Sequence, residues 1–160
     1  MRRASILVVF VLFAIMMYSQ GKHSNHMTKK KPATRLFDSS VIAILSYDIS
    51  APYEFRDLKK AELTKRDFND IEIQLSKCVS EYNHTHKFSN INLRNYKRQY
   101  IAVTNAKGEK EVWVNCFCEI ENDNWKKEIE VVFDGGDCYF DLKINLSTKK
   151  YYDLMVNGVA

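Results

Sequence analysis

Only one stretch of this chain carries helical periodicity. Between Thr64 and His86, the apolar positions Phe68, Ile71, Leu75, Cys78, Val79 and Tyr82 follow the i, i+3, i+4, i+7 rule. Further along, apolar residues recur at every second position. The cleanest case is "CYFDLKINL", where Cys138, Phe140, Leu142, Ile144 and Leu146 alternate with Tyr139, Asp141, Lys143 and Asn145. One segment of period 3.6 followed by segments of period 2 confines the chain to a helix laid on a sheet.

The punctuation fits that plan. Thr64 is placed as the helix N-cap, with Asp67 putting negative charge in the first turn. Asn83 and "HTH" close the helix. Upstream, "SSVIAILSYDIS" (39–50) reads as a strand ended by Pro52, which has no N–H to give a ladder. Downstream, "YKRQYIAVT" and "KEVWVNCFCEI" flank "NAKGE" as a hairpin. "KKEIEVVF" (126–133) reads as a further strand, and "DGGD" (134–137) as a tight turn tolerant of positive φ. "STKK" leads into a last strand, "YYDLMVNG". The expected class is α+β: one main helix packed on a curved antiparallel sheet of five to six strands, in a single domain over residues 36–160. An alternating βαβ pattern, and with it a parallel nucleotide-binding fold, is not expected.

The N-terminus has the grammar of a leader. Arg2 and Arg3 precede the unbroken apolar run "ILVVFVLFAIMM" (6–17), and Ser19 and Gly21 stand at −3 and −1 of a cut before Lys22. The run is short for a membrane span, which takes about 20 apolar residues. No cysteine follows it, so lipoprotein processing at this site has no thiol to acylate. Residues 1–21 are therefore expected to be a signal peptide or, uncleaved, a short membrane anchor. Lys22, Lys29, Lys30, Lys31 and Arg35 oppose translocation and set a competing expectation of retention inside. Residues 22–35 read as a basic flexible linker. Residues 1–21 hold two of the 24 basic residues and none of the 20 acidic ones, so the net charge falls from +4 to +2 without them. The surplus sits in the linker, and the globular part lacks the basic footprint of a nucleic-acid binder.

The four cysteines are Cys78, Cys116, Cys118 and Cys138. Alternation puts Val112, Val114, Cys116, Cys118 and Ile120 on one strand face, and all four cysteines are expected to point toward one core between helix and sheet. Neighbours at i,i+2 are about 7 Å apart along a strand, which suits neither a zinc clip nor a Cys116–Cys118 disulfide. An even cysteine count in an exported chain favours disulfides, with Cys138 paired to Cys116 or Cys118 preferred. Buried free thiols are the alternative.

No metal site, cofactor or catalytic residue is expected. Asp134, Asp137 and Asp141 lack the loop and bidentate Glu of a calcium site. His84 and His86 have no further ligands nearby in sequence. The usual nucleophile, zinc and phosphate motifs are missing. Asn83-His84-Thr85 and Asn145-Leu146-Ser147 match the glycosylation sequon.

Nine Phe, nine Tyr and two Trp are more than one core face needs. Trp113, Phe117 and Tyr139 alternate with core positions and so face away from the helix. Either they form an open aromatic binding surface or another segment covers them.

The stretches "YKRQYIAVTNAKGEKEVWVNCFCEI" and "DGGDCYFDLKINLSTKKYYDLMVNG" resemble uncharacterised small exported proteins of Bacteroidetes-type bacteria, a group without an assigned activity. The layout also resembles the cystatin and NTF2-like architectures. The cystatin family's Q-x-V-x-G loop has no counterpart, since Gln99-Tyr100-Ile101-Ala102-Val103 has neither the Val nor the Gly in place. Shared layout does not confer function. The functional expectation is an exported, non-enzymatic binding or interaction domain for an unknown protein or small-molecule ligand. Membrane contact is expected only through residues 1–21 if uncleaved. The rivals are a protein inhibitor or immunity-type partner, and a small NTF2-like enzyme.

Overall fold

The computed structural model describes residues 38–47, 55 and 58–159. The leader and linker read from the sequence lie outside the described residues. The elements run β1 (Ile42–Ile44), β2 (Lys59–Lys60), α1 (Lys65–Thr85), β3 (Lys97–Thr104), β4 (Lys110–Phe117), β5 (Tyr139–Asn145) and β6 (Lys150–Val156). The class is α+β, with one main helix on an open six-stranded sheet of order β1-β3-β4-β5-β6, β2 pairing with β3.

α1 begins as its sequence requires. The Thr64 hydroxyl accepts from the Asp67 N–H, and the Asp67 carboxylate accepts from the Thr64 N–H at 2.8 Å, a complete capping box. Ile71, Leu75, Cys78 and Val79 form its buried stripe. They pack on the sheet face made by Tyr100 and Ala102 of β3, Val112, Val114 and Cys116 of β4, and Phe140, Leu142 and Ile144 of β5.

The sheet departs from the expected all-antiparallel form at one edge. β1 pairs with β3 in parallel, Ile42 opposite Arg98 and Ile44 opposite Tyr100. Parallel neighbours need a long crossover, and α1 lies in it, so β1-α1-β3 is one βαβ unit on an otherwise antiparallel sheet. β1 is also shorter than the expected strand 39–50. Leu45 still donates to the Tyr100 carbonyl at 2.9 Å, but residues 48–50 lie outside the described set.

β6 carries a bulge. Asp141 pairs with Met155, yet Lys143 pairs with Tyr152, so β6 holds one extra residue there. Asp153 occupies the extra position at φ 51°, and Lys143 Nζ reaches its carboxylate at 3.1 Å. The bulge resets the alternation, so Tyr151, Leu154 and Val156 all pack on the helix side.

The second sheet face is covered. Ile101, Val103, Trp113, Phe117 and Tyr139 pack with Ala43, Leu45, Phe55 and Trp125 into a second core cluster. The cover comes from the segment after β1 and from the connection between β4 and β5. That connection contains 126–133, expected as a strand but irregular here, because it crosses β4 and β5, both of which already pair with neighbours on either side. Side-chain amides on the sheet take the place of a ladder. Gln99 Oε1 accepts from Glu130 N at 2.9 Å, and Asn115 Nδ2 donates to Glu130 O at 2.8 Å. Gln99 Nε2 donates to the carbonyls of Trp125 and Glu128. Asn157 Nδ2 donates to the carbonyls of Val132 and Asp134 at 2.6 and 2.9 Å. Every buried backbone group needs a partner, and these amides meet that need face-on rather than edge-on.

Candidate functional site

The point where β4 stops decides how the cysteines pair. β4 ends at Phe117, opposite Tyr139, the first residue of β5. Cys118 and Cys138 lie just beyond that last rung, with the Cys118 N–H donating to the Cys138 carbonyl at 2.9 Å. They form a disulfide, with Cα atoms 5.0 Å apart and a separation of 20 positions in sequence. This is one of the two expected pairings. The expectation that all four cysteines share one core is corrected. Cys78 and Cys116 are free thiols buried under α1, whereas Cys118 is exposed and Cys138 packs against the second cluster. Cys138 belongs to a 3₁₀ turn, Gly136–Cys138, and not to the core face of β5. The turn depends on glycine: Gly135 has φ 84°, and a Cβ there would meet Tyr139 Cε2 at 2.6 Å.

Burial pushes the Cys78 thiol up to about 11, with Glu81 adding to it, and pushes Cys116 higher still. At pH 8 the thiolate fraction of a group with pKa 11 is about 0.1%, so neither thiol is reactive in the folded chain. Natively folded protein should therefore add no alkyl groups at pH 8. After denaturation without reductant it should add two, and after denaturation with reductant four, as read by intact mass. Alkylation of Cys118 or Cys138 without reductant would contradict the pairing.

Trp113, Phe117 and Tyr139, expected either as an open aromatic binding surface or as a covered face, are 8%, 0% and 8% exposed. The open-face arrangement is thereby corrected, because Trp125 and Phe55 lie over that face. Phe117 meets Trp125 edge-on, ring centroids 5.6 Å apart. Trp113 and Tyr139 differ from Phe117 in one respect: both also line a cleft of about 130 Å³ between β4–β5 and residues 129–132. Asn115, Glu130, Val132 and Asp141 contribute to its walls. Trp113 Nε1 donates to Asp141 Oδ1 at 2.8 Å, and the Tyr139 hydroxyl donates to Glu121 Oε1 at 3.4 Å. Burial raises the Tyr139 phenol above its ordinary range, and the carboxylates of Glu121, Glu119 and Glu130 raise it further. Asp141 and Glu130 were not read from the sequence as neighbours, since nothing local reports that residue 130 crosses β4.

Asn83, Asn145 and His86 have structural partners. Asn83 exchanges two hydrogen bonds with the Ile91 backbone, both at 2.9 Å. Asn145 is buried and donates to Glu109 and Glu111. Both sequon amides are thus engaged in the fold. His86 stacks on Tyr82 with ring centroids 4.0 Å apart. Among the described residues, no group of three or more His, Cys, Asp or Glu side chains is placed to hold a metal ion.

Exposed apolar side chains gather at one end of the sheet. Phe133 is 92% exposed, Val131 61%, Met155 65% and Val159 87%. Val131 lines the cleft, Met155 pairs with Asp141 of the cleft wall, and Val159 lies beside Gly136. Phe88 and Ile120, also exposed, lie on connections at the same end, where β3 begins and β4 stops. The disulfide staples this end. Among the described residues, no helix is long and apolar enough to cross a membrane. Compared with family models, curated proteins and solved structures, the chain matches none.

Proposed function

We propose that this chain is an exported, non-enzymatic binding domain that engages a protein partner through the disulfide-stapled end of its sheet. The observation that carries the reading is the group Val131, Phe133, Met155 and Val159, all exposed, on or close to the connection between β4 and β5 and the end of β6. Contiguous exposed apolar side chains with a polar surround are the usual mark of a partner site. The Cys118–Cys138 disulfide supports export, because such bonds persist in oxidising compartments. The leader pattern supports it independently.

A protein partner fits better than a small molecule. The cleft of about 130 Å³ is below the roughly 300–1,000 Å³ of ordinary ligand pockets. The polar side chains of Gln99 and Asn115 on the second face, and of Glu130 in the connection, hold the backbone of 121–130 in place. An inhibitor or immunity-type role is one form of this reading, and the identity of the partner decides it.

A photo-crosslinking residue placed at Phe133 in the native host tests the proposal, with Ile73 on the outer face of α1 as the control site. Both positions are exposed, at 92% and 53%. The expected result is a discrete adduct from position 133 and none from position 73. Equal labelling at both, or none at 133, would overturn the proposed surface.

A further inference from the structure

β6 closes the sheet order on one side, and among the described residues nothing pairs with its outer edge. A bare edge is a row of backbone donors and acceptors, and natural sheets guard such rows with charge, bulges or proline. β6 is guarded in its first half only. Lys149 and Lys150 stand at its start, and the bulge at Asp153 bends it, with the carboxylate held by Lys143. Residues 154–159, "LMVNGV", carry no charged side chain and no proline. The backbone there is aimed outward. The Asn157 N–H donates to the Tyr139 carbonyl at 3.0 Å, so Asn157 and, two residues back, Met155 face β5. Across trans peptides this turns the Leu154 carbonyl and the Val156 N–H to the open side. Met155 is 65% exposed on the second face, opposite Asp141. Phe133, between the two carbonyls that Asn157 Nδ2 holds, is also exposed at this edge.

We infer that the second half of β6 pairs antiparallel with the same segment of a second copy of this chain, about a two-fold axis at Met155. The inference rests on the protein-binding reading above and names the partner. A strand that adds to this edge must be extended, uncharged and apolar, and 154–159 is itself such a segment. With Met155 of the two copies face to face, each Val156 N–H meets the Leu154 carbonyl of the other copy, and the symmetry doubles every contact. In that register Asp153 comes opposite Asn157 and Tyr152 opposite Gly158, so no like charges face each other. The bulge ends the regular ladder at Asp153 in each copy, so the pairing closes as a dimer and does not run on along the edge. Met155 and Phe133 of both copies gather on one face across the axis, which covers the side chains that a single chain leaves exposed. The shared surface is at the small end of specific interfaces, so the dimer is weak and depends on concentration.

Sedimentation velocity of the disulfide-intact protein, from about 1 μM to about 1 mM, tests the pairing. A monomer–dimer equilibrium with Kd of roughly 10–100 μM is expected. Met155→Lys sets two like charges against each other on the axis and should weaken the dimer at least about tenfold. Val156→Pro removes an outward N–H, which an edge strand tolerates, and should do the same. Ile73→Lys, at an exposed position on the outer face of α1, should leave the dimer unchanged. Met155→Cys reads the register. Facing residues of a non-hydrogen-bonded pair have Cα atoms about 4.5 Å apart, within disulfide reach. Oxidised glutathione should therefore convert the two facing thiols of Met155→Cys into one intermolecular disulfide, itself being reduced to two glutathione thiols. This should run at least about tenfold faster than for Ile73→Cys. The inference is overturned if the protein stays monomeric at about 1 mM, if Met155→Lys dimerises as wild type does, or if Met155→Cys is joined no faster than Ile73→Cys. If Val156→Pro fails to fold, Met155→Lys, at an exposed position, still decides. The two readings fail separately. An adduct from position 133 with a different protein, while this chain stays monomeric, keeps the binding surface and removes the second copy as its occupant. Self-association lost in Met155→Lys, without an adduct at 133, keeps the edge pairing and removes Phe133 from the surface.

Discussion

Phe117→Ala should destabilise the domain by about 3–5 kcal/mol, while Phe133→Ala should change it by no more than about 0.5 kcal/mol. The same truncation is made at two phenylalanines 16 residues apart, one at 0% exposure and one at 92%. Phe117 closes β4, fills the second core cluster and meets the Trp125 ring. Its loss leaves a cavity, and it also removes the ring against which the roofing connection is docked. Part of the cost should therefore appear as faster amide exchange at Glu121, Asn122 and Glu130, the N–H groups held by Glu130 and Gln99. Urea denaturation monitored by tryptophan fluorescence gives the stability change. Near-wild-type stability of Phe117→Ala would mean that the second face is open in solution, restoring Trp113, Phe117 and Tyr139 as a surface.

The contrast between these two phenylalanines also marks how far the sequence can be read. Local periodicity reports direction: it places Phe117 and Trp113 away from α1 and Cys116 toward it, and all three are so placed. It is silent on whether a face is covered, because the cover comes from Leu45, Tyr47 and Phe55 and from residues 125–132, remote in sequence from the strands beneath. α1 was legible throughout because its stripe, its N-cap and its C-terminal breakers agree with one another. Residues 126–133 misled because their alternation is strand-like. Their hydrogen-bond partners are the side chains of Gln99, Asn115 and Asn157, which no local pattern distinguishes from ordinary polar strand residues. The parallel β1 was missed because three residues, Ile42–Ile44, carry too little pattern to reveal direction. The cysteine pairing was half legible. Cys118 was read as continuing the face of Cys116, but alternation holds only as far as the ladder, and the ladder ends one residue earlier. The turn glycines Gly135 and Gly136, three and two residues before Cys138, were the available sign that β5 begins after it.

Glu72→Ala should cost about 3–5 kcal/mol, although Glu72 lies on a half-buried part of α1. Its Oε1 accepts from Arg98 Nη1 at 3.0 Å and from the Tyr100 hydroxyl at 3.1 Å. Arg98 and Tyr100 are both buried on β3, and Tyr100 is fully enclosed. Arg98 Nη2 donates to the Leu93 carbonyl at 2.9 Å, and its Nε has no hydrogen-bond partner among the described residues. The guanidinium therefore depends on Glu72 for its only carboxylate contact in the fold as described. Removing the acid leaves a buried charge without compensation and a buried phenol without its acceptor, each worse than the loss of a single hydrogen bond. The test that separates this mechanism from simple helix truncation is the double substitution Glu72→Leu with Arg98→Met. With no charge left to bury, it should recover most of the loss, since apolar replacement of a buried pair is often neutral. If the double variant is as unstable as the two single variants added together, the pair acts as two independent packing residues. The link between α1 and the parallel edge of the sheet would then rest on the apolar stripe alone.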